Sequence, residues 1–257
     1  MVKCMPIIFY SKLDLAGTNI VKFLRENFSF KNAEIVELEK ESIRSDEIVA
    51  KYESDFFVFA SRHKSETGKP SFTVHVPGNW AKAEAGGREK NVSWSYGSLM
   101  KDALLALGRL NSLPVFMEAD HHGPFCKCPA MFFEIGSSER EWKDEKLGMQ
   151  AAWALNEIMG VKPGARKKYA NVFGVGGGHY CPTFTRRMLD EENGVAVAHV
   201  LQKYYVDEIT PEIFGQGIER SREKIERVEI DWKGLTAPQR EKVQRMCKDL
   251  NVEIERL

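Results

Sequence analysis

No run of apolar residues in this sequence approaches the roughly 18 needed to cross a bilayer, which argues against a helical membrane span. The opening stretch MVKCMPIIFYSKLDLAG has neither a long apolar segment nor a small-residue cleavage site, so a mature cytoplasmic protein is expected. Cysteine is scarce: Cys4, Cys126, Cys128, Cys181 and Cys247 are an odd number spread over 257 residues. That is a poor disulfide framework and fits a reducing compartment. Net charge is absent too, with 37 basic against 37 acidic residues. Such a balance excludes bulk nucleic-acid binding by overall charge but leaves room for a local basic patch. There is no internal repeat, no low-complexity tract and no linker rich in Pro, Gly and Ser. Residues 1–257 are therefore expected to form a single domain, with a small inserted lobe as the one variation considered.

What the sequence has is alternation. With 43% hydrophobic residues it can bury a sizeable core, and strand and helix patterns follow one another for most of its length. CMPIIFYS, AEIVEL, FTVHV, PVFMEAD, AMFFEIG, NVFGV and VAVAHVL read as strands, and the short apolar run DFFVFAS reads as one buried on both faces. Ile20, Phe23, Leu24 and Phe28 form a helical stripe, as do Leu147, Ala151, Ala154, Leu155 and Ile158. A further helix covers roughly Ser98 to Leu110. At the C-terminal end VEIDW is a strand, Thr236 and Gln239 form a capping box, and VEIERL is a second strand. This strand–helix–strand crossover is the unit of a parallel sheet. The expected fold is a three-layer α/β/α domain with a mixed, mostly parallel sheet.

Histidine is also scarce, and its placement is informative. Of six histidines, four follow expected strands in polar loops: His63 in SRHKSETGKP, His121 and His122 in ADHHGP, and His179 in GGGHYCP. Ligands of open α/β sheets bind beyond the carboxyl ends of strands, so these loops can gather imidazoles, Asp120, Arg62 and Lys64 into one crevice. Two roles fit: a metal site built from imidazole and carboxylate, or general acid–base catalysis. His121 and His122 would point in opposite directions if extended, and share a site only if the turn bends there. His75 and His199 lie within alternating strands and read as core residues.

The run GVGGGHY precedes what reads as a helix opening near Pro182. Backbone amides of Gly176, Gly177 and Gly178 in such a turn can receive a phosphate or a developing oxyanion. No Gly-Lys-Ser/Thr follows, so it is not a P-loop; nor is it the dinucleotide fingerprint, whose third glycine would fall on His179. Cys126 and Cys128 lack the second pair that a structural zinc site needs, and nothing predicts an activated thiol at Cys181. Basic residues cluster at Arg166, Lys167 and Lys168 and at Arg186 and Arg187, beside Tyr169 and Tyr180. Such a mixture suits a single-stranded RNA end.

The stretches SRHKSETGKPSFTVHVPGNW, EADHHGPFCKCPAMFFEIGSSEREW and GVGGGHYCPTFT, with IFYSKLDLAGTNI and KYYVDEI, resemble the D-aminoacyl-tRNA deacylases of the archaeal and plant type. The resemblance implies hydrolysis of the ester joining a D-amino acid to the 3′ end of tRNA, in chiral proofreading and tRNA recycling. It also implies a fold similar to peptidyl-tRNA hydrolase and phosphorylase/hydrolase-like proteins, dependence on zinc (up to two ions per chain) and a monomer. Carried onto this chain, the resemblance covers His63 with Arg62, Asp120 with His121 and His122, and His179 with its glycines, without dividing metal ligands from catalytic groups. The assignment expected here puts catalysis on His63, Asp120, His121 and His179, and metal on His63, His121, His122 and His179. Gly176 to Gly178 would receive the oxyanion or terminal phosphate, and Arg62, Lys64, Arg186 and Arg187 would meet RNA. The alternatives are a peptidyl-tRNA hydrolase-like or other zinc-dependent hydrolase, and a non-enzymatic module that binds the tRNA end.

Overall fold

Asp14 ends the first strand and starts the first helix at once: its carboxylate accepts from Gly17 N, capping the amides that a helix leaves unpaired at its start. In the computed structural model, which describes residues 5–28, 33–161 and 165–257, that junction lies between β1 (Ile7–Ser11) and α1 (Leu15–Asn27). Cys4, at the head of the expected first strand, lies outside the described residues. The chain continues through β2 (Glu34–Leu38), α2 (Asp46–Val49), β3 (Phe57–Lys64) and β4 (Ser71–His75). The two-residue strands β5 (Gly78–Asn79) and β6 (Asn91–Val92) precede α3 (Gly97–Arg109) and β7 (Val115–Met117). Next come β8 (Ala130–Ser137), α4 (Glu139–Trp142), α5 (Glu145–Gly160) and β9 (Ala170–Val175). The remainder is α6 (Pro182–Leu189), β10 (Val195–Leu201), α7 (Pro211–Glu219), β11 (Ile225–Ile230), α8 (Ala237–Asp249) and β12 (Glu253–Arg256).

The architecture is mixed α/β, mostly parallel, with the strands divided between two principal sheets. The first has the order β2-β1-β3-β8-β4-β7, in which only the β4–β8 pairing is antiparallel. The second, β10-β9-β11-β12, is parallel throughout. The C-terminal crossover forms as its sequence dictates. Thr236 and Gln239 cap α8 reciprocally, and the helix returns the chain to a β12 parallel to β11.

Helices α1, α3 and α5 cover one face of the first sheet, and α3 also packs on β10 and α6. One continuous core results, joining Val58, Phe133 and Val74 of the first sheet to Val172, Val195 and Val197 of the second. On the opposite face of the first sheet Phe9, Phe57, Phe59 and Phe132 form a separate apolar cluster, with the Phe59 and Phe132 rings stacked 4.8 Å apart. Each such ring stabilises the fold by about 1.5–3 kcal/mol through burial. Cys247 is buried in a third core between the second sheet and α8.

Candidate active site and metal centre

The apolar run of β3 does not stop at Ser61. The strand continues to Lys64, so His63 sits on the sheet rather than in a loop beyond it. Pairing aligns Ser61 with Glu134 and His63 with Gly136, while β4 sets Thr73 opposite Glu134 and His75 opposite Phe132. Because side chains alternate between faces, Ser61, His63, Thr73, His75 and Glu134 share the face that also carries the phenylalanine cluster. The space beside His63 exists because residue 136 is glycine: a Cβ there would meet His63 Cδ2 at 2.8 Å. The end of β7 adds Glu118, and the following turn adds His121 and His122. The second sheet sends in His179 and Tyr180 from the turn after β9. Residue 122 takes φ +44, a bend that allows both neighbouring imidazoles to face the same site, their ring centroids 4.3 Å apart.

Glu118 is the hub of this cluster. It is fully buried, with Oε1 2.9 Å from His63 Nδ1, and Oε2 3.2 Å from His179 Nε2 and 3.5 Å from His121 Nε2. Neither oxygen has a partner of hydrogen-bonding geometry, so the close approach to His63 is an ion-pair contact. Glu134 accepts from Thr73 Oγ1 at 2.9 Å and lies 3.7 Å from His63 Nδ1 and 3.8 Å from His75 Nε2. His63 Nε2 meets the Tyr180 hydroxyl at 2.9 Å.

Three imidazoles have their tautomer fixed from behind. His75, His121 and His122 each place Nδ1 on a backbone carbonyl, that of Val76 (3.1 Å), Ala119 (2.9 Å) and Gly123 (2.7 Å) respectively. With the proton on Nδ1, Nε2 offers a lone pair, the orientation found for metal-ligating histidine. Ligand atoms within 4.8 Å of one another form three groups: His63, Glu118 and His179; His75, His121 and His122; and His75, Glu118 and Glu134. His75 Nε2 and both Glu118 oxygens are buried without hydrogen-bond partners. Such a donor set fits a cation, and imidazole with carboxylate is a combination zinc takes readily.

The protonation pattern follows from burial and mutual charge. Burial disfavours the His63 imidazolium, but the Glu118 and Glu134 carboxylates outweigh it and raise the pKa to about 11. Burial raises Glu118, but the His179, His63 and His121 imidazoles reverse this and hold it well below the usual range. Glu134, raised by burial and the neighbouring Glu118 charge against the pull of His63, reaches about 7. Burial brings His121 down to about 4 and drives His75 and His122 well below the ordinary histidine range.

A cleft of about 470 Å³ opens over the cluster, lined by His63, Glu134, His121, His122 and His179 together with Leu13, Ile43 and Glu41. Arg62 and Lys64 also line it, with Arg62 paired to Glu41 at 2.8 Å. Asp120, expected in the crevice, points elsewhere. Its carboxylate is buried, 2.6 Å from His199 Nδ1, and accepts from Val200 N at 2.9 Å. His199 completes that link through Nε2 to the Arg220 carbonyl, which makes it a satisfied core residue. The glycine turn is likewise occupied in part, since Gly176 N donates to the Leu201 carbonyl. Arg187 is held by Glu229 and Glu255 on the second sheet, and Arg186 is exposed on α6. Cys181 is buried, and burial pushes its thiol pKa well above the ordinary value, unlike an activated nucleophile.

The structure brings His63, His121, His122 and His179 together and adds to them His75, which its strand position marks as core, and Glu118 and Glu134, which the sequence reading does not single out. His75 is buried, yet its ring lies 4.0 Å from that of His121. One signal was available: a glutamate inside the apolar strand AMFFEIG has no solvent to face and must meet a partner.

The family model described as D-aminoacyl-tRNA deacylase matches residues 50–255. The chain is 34% identical to the D-aminoacyl-tRNA deacylase of Pyrococcus furiosus, covering 97% of this chain and 98% of that protein. It is 29% identical to the protein of that name from Methanocaldococcus jannaschii, covering 98% and 99%. Among solved structures, that of a conserved protein of unknown function, AF0625, superposes with a TM-score of 0.89 at 30% identity, covering 98% of this chain and 95% of that one.

Proposed function

Since this chain belongs to the D-aminoacyl-tRNA deacylase family, we propose that it hydrolyses the ester joining a D-amino acid to the 3′ end of tRNA, releasing the free amino acid and the tRNA. The observation that carries the reading is the set of imidazoles around buried Glu118 and Glu134 at the head of an open cleft. A module that only binds RNA ends has no use for such a cluster, whose burial is costly.

Ester hydrolysis needs a base for water, a donor for the leaving ribose oxygen and support for the developing oxyanion. Glu134, titrating near neutrality and lining the cleft, accepts the proton from water. The His63–Tyr180 pair supplies the donor: the Tyr180 hydroxyl, fixed by His63 Nε2, passes a proton to the ribose oxygen. Arg62 and Lys64 at the rim hold backbone phosphate. Zinc is the proposed metal, held by His63, Glu118 and His179 and, for a second ion, by His75, His121 and His122. When bound it supplies Lewis acidity toward water and the ester carbonyl. Asp120 positions the histidine turn through His199 and does not touch substrate. The reading includes action in the cytoplasm as one catalytic domain. It is supported by the core shared between the sheets and by the lack, among the described residues, of any helix long and apolar enough to cross a membrane.

The test is release of labelled D-tyrosine from charged tRNA, beside the L-form and a peptidyl-tRNA. Release from the D-ester in preference to both is expected. Release of peptide alone, or binding without release, overturns the proposal.

A further inference from the structure

The C-terminal ends of β9, β10 and β11 meet at one edge of the second sheet, where three turns are stitched together. The Gly177 carbonyl accepts from Lys203 N at 3.1 Å, and Asp231 N donates to the Val175 carbonyl at 2.9 Å. Between the turns lies an open groove of about 480 Å³, lined by Lys203, Tyr204, Asp207, Lys233, Gly234 and Gln239 among others. Close backbone packing shapes its floor: a Cβ on Gly234 would meet Asp231 Oδ2 at 2.6 Å and Gly177 N at 3.1 Å. A Cβ on Gly178 would lie 3.4 Å from the Tyr204 hydroxyl, so Tyr204 stands directly over the turn that delivers His179 and Tyr180 to the cluster.

Tyr204 is the most exposed large hydrophobic side chain among the described residues, at 65%. The Lys203 ammonium lies 5.4 Å from the centre of its ring. Neither Lys203 nor Lys233 has an ion-pair partner among the described residues. Of the nearby acids, Asp207 accepts from Gln239 Nε2 at 2.9 Å, and the Asp231 carboxylate lies against the Gly177 and Gly234 backbone. An exposed aromatic face flanked by two unpaired cations is the chemistry that holds an unpaired nucleic-acid strand, by stacking a base and pairing with phosphates. A nucleotide esterified in the cleft needs a path for the strand behind it, and Tyr204 on the wall of this groove borders Gly178, the residue before His179.

We propose that the groove bearing Tyr204, Lys203 and Lys233 binds the unpaired RNA nucleotides that precede the esterified one, with Tyr204 stacking a base and the lysines meeting phosphates. The identity of this ligand rests on the deacylase reading, but its binding can be measured without the chemistry. Uncharged tRNA binding by filter retention, at low and moderate salt, is compared for wild type, Tyr204→Ala, Tyr204→Phe and the double variant Lys203→Ala/Lys233→Ala. Tyr204→Ala is expected to weaken binding roughly 10-fold and Tyr204→Phe to retain it, while the lysine variant flattens the salt dependence. In deacylation, Tyr204→Ala raises KM for D-tyrosyl-tRNA by a similar factor, with kcat unchanged and with hydrolysis of D-tyrosyl-adenosine unaffected. Unchanged tRNA binding by Tyr204→Ala overturns the groove while leaving the deacylase reading intact. Equal slowing on both esters also overturns it, by placing Tyr204 in the chemistry. Binding loss in a protein that releases no D-tyrosine upholds the groove and removes the deacylase reading instead.

Discussion

A carboxylate buried without a hydrogen-bond donor costs several kcal/mol unless a charge faces it, and Glu118 is such a carboxylate. This makes the metal-free protein pH-sensitive in a definite direction. The folded pKa of His63, about 11, lies above its ordinary 6.5, so its contribution to stability is complete below about 6.5 and is lost as pH rises toward 11. Glu134, raised from 4.5 to about 7, contributes fully below 4.5 and loses that contribution as pH rises through 7. Glu118, held low, contributes above its ordinary value of 4.5 and loses that contribution as pH falls through its depressed pKa. His75, His121 and His122, lowered by burial, act in the opposite sense and gain stability as pH rises toward 6.5. Thermal melts of metal-free protein should therefore show stability falling with pH above about 6.5, where those three contributions are complete. Glu134→Gln should flatten the part of that fall nearest neutrality, and an identical slope in the variant would count against the assignment. These groups were hard to read in the sequence for a physical reason. His75 occupies a strand position like any core residue, and only the pairing of β4 with β8 reveals that its face carries Glu134.

At the level of elements, β8 shows how a correctly read strand can hide its own function. AMFFEIG was legible as a strand, but what matters in it is register: Glu134 opposite Ser61 and Thr73, and Gly136 opposite His63. Gly136→Ala would put a methyl group 2.8 Å from His63 Cδ2 and 3.1 Å from its Cβ, forcing the ring away from Glu118. Overpacking of this kind costs about 1–3 kcal/mol. Turnover should fall at least about 10-fold, since small displacements at a reacting centre cost more than that. Melting curves and D-aminoacyl-tRNA kinetics check the two together, and a fully active Gly136→Ala would show that the His63 position tolerates movement. The C-terminal crossover was legible to its cap because Thr236, Gln239 and the α8 stripe are local signals. The end of β3 was not: polar residues after an apolar run look like a loop until a neighbouring strand pairs with them.

For the whole molecule, alternating strands and helices made the α/β class legible, while the division into two sheets lay beyond it, because strand order depends on contacts distant in sequence. Metal binding should be felt at this scale. If zinc binds the folded protein and is present at 100 times its dissociation constant, it adds about 2.7 kcal/mol of stability. That corresponds to a rise in Tm of roughly 5–10 °C for a chain of this size. Exhaustive chelation of untagged protein should lower Tm by about that much and abolish D-tyrosine release. Zinc add-back should restore both, and full activity in metal-free protein would refute the zinc proposal.

The link between Asp120 and His199 has a consequence for the order of assembly. The turn carrying His121 and His122 is tied to the second sheet by Asp120 on His199 and Val200 and by Ala119 N on the His179 carbonyl. Trp80 adds a further tie through Nε1 to the Val200 carbonyl. A chain emerging from the ribosome can pair β1, β3, β4 and β8 before any of these anchors has been made. The cluster takes its final geometry only once β10 has docked, so whatever chemistry it performs waits for the second sheet, well after the strands that carry His63 and Glu134 have been made.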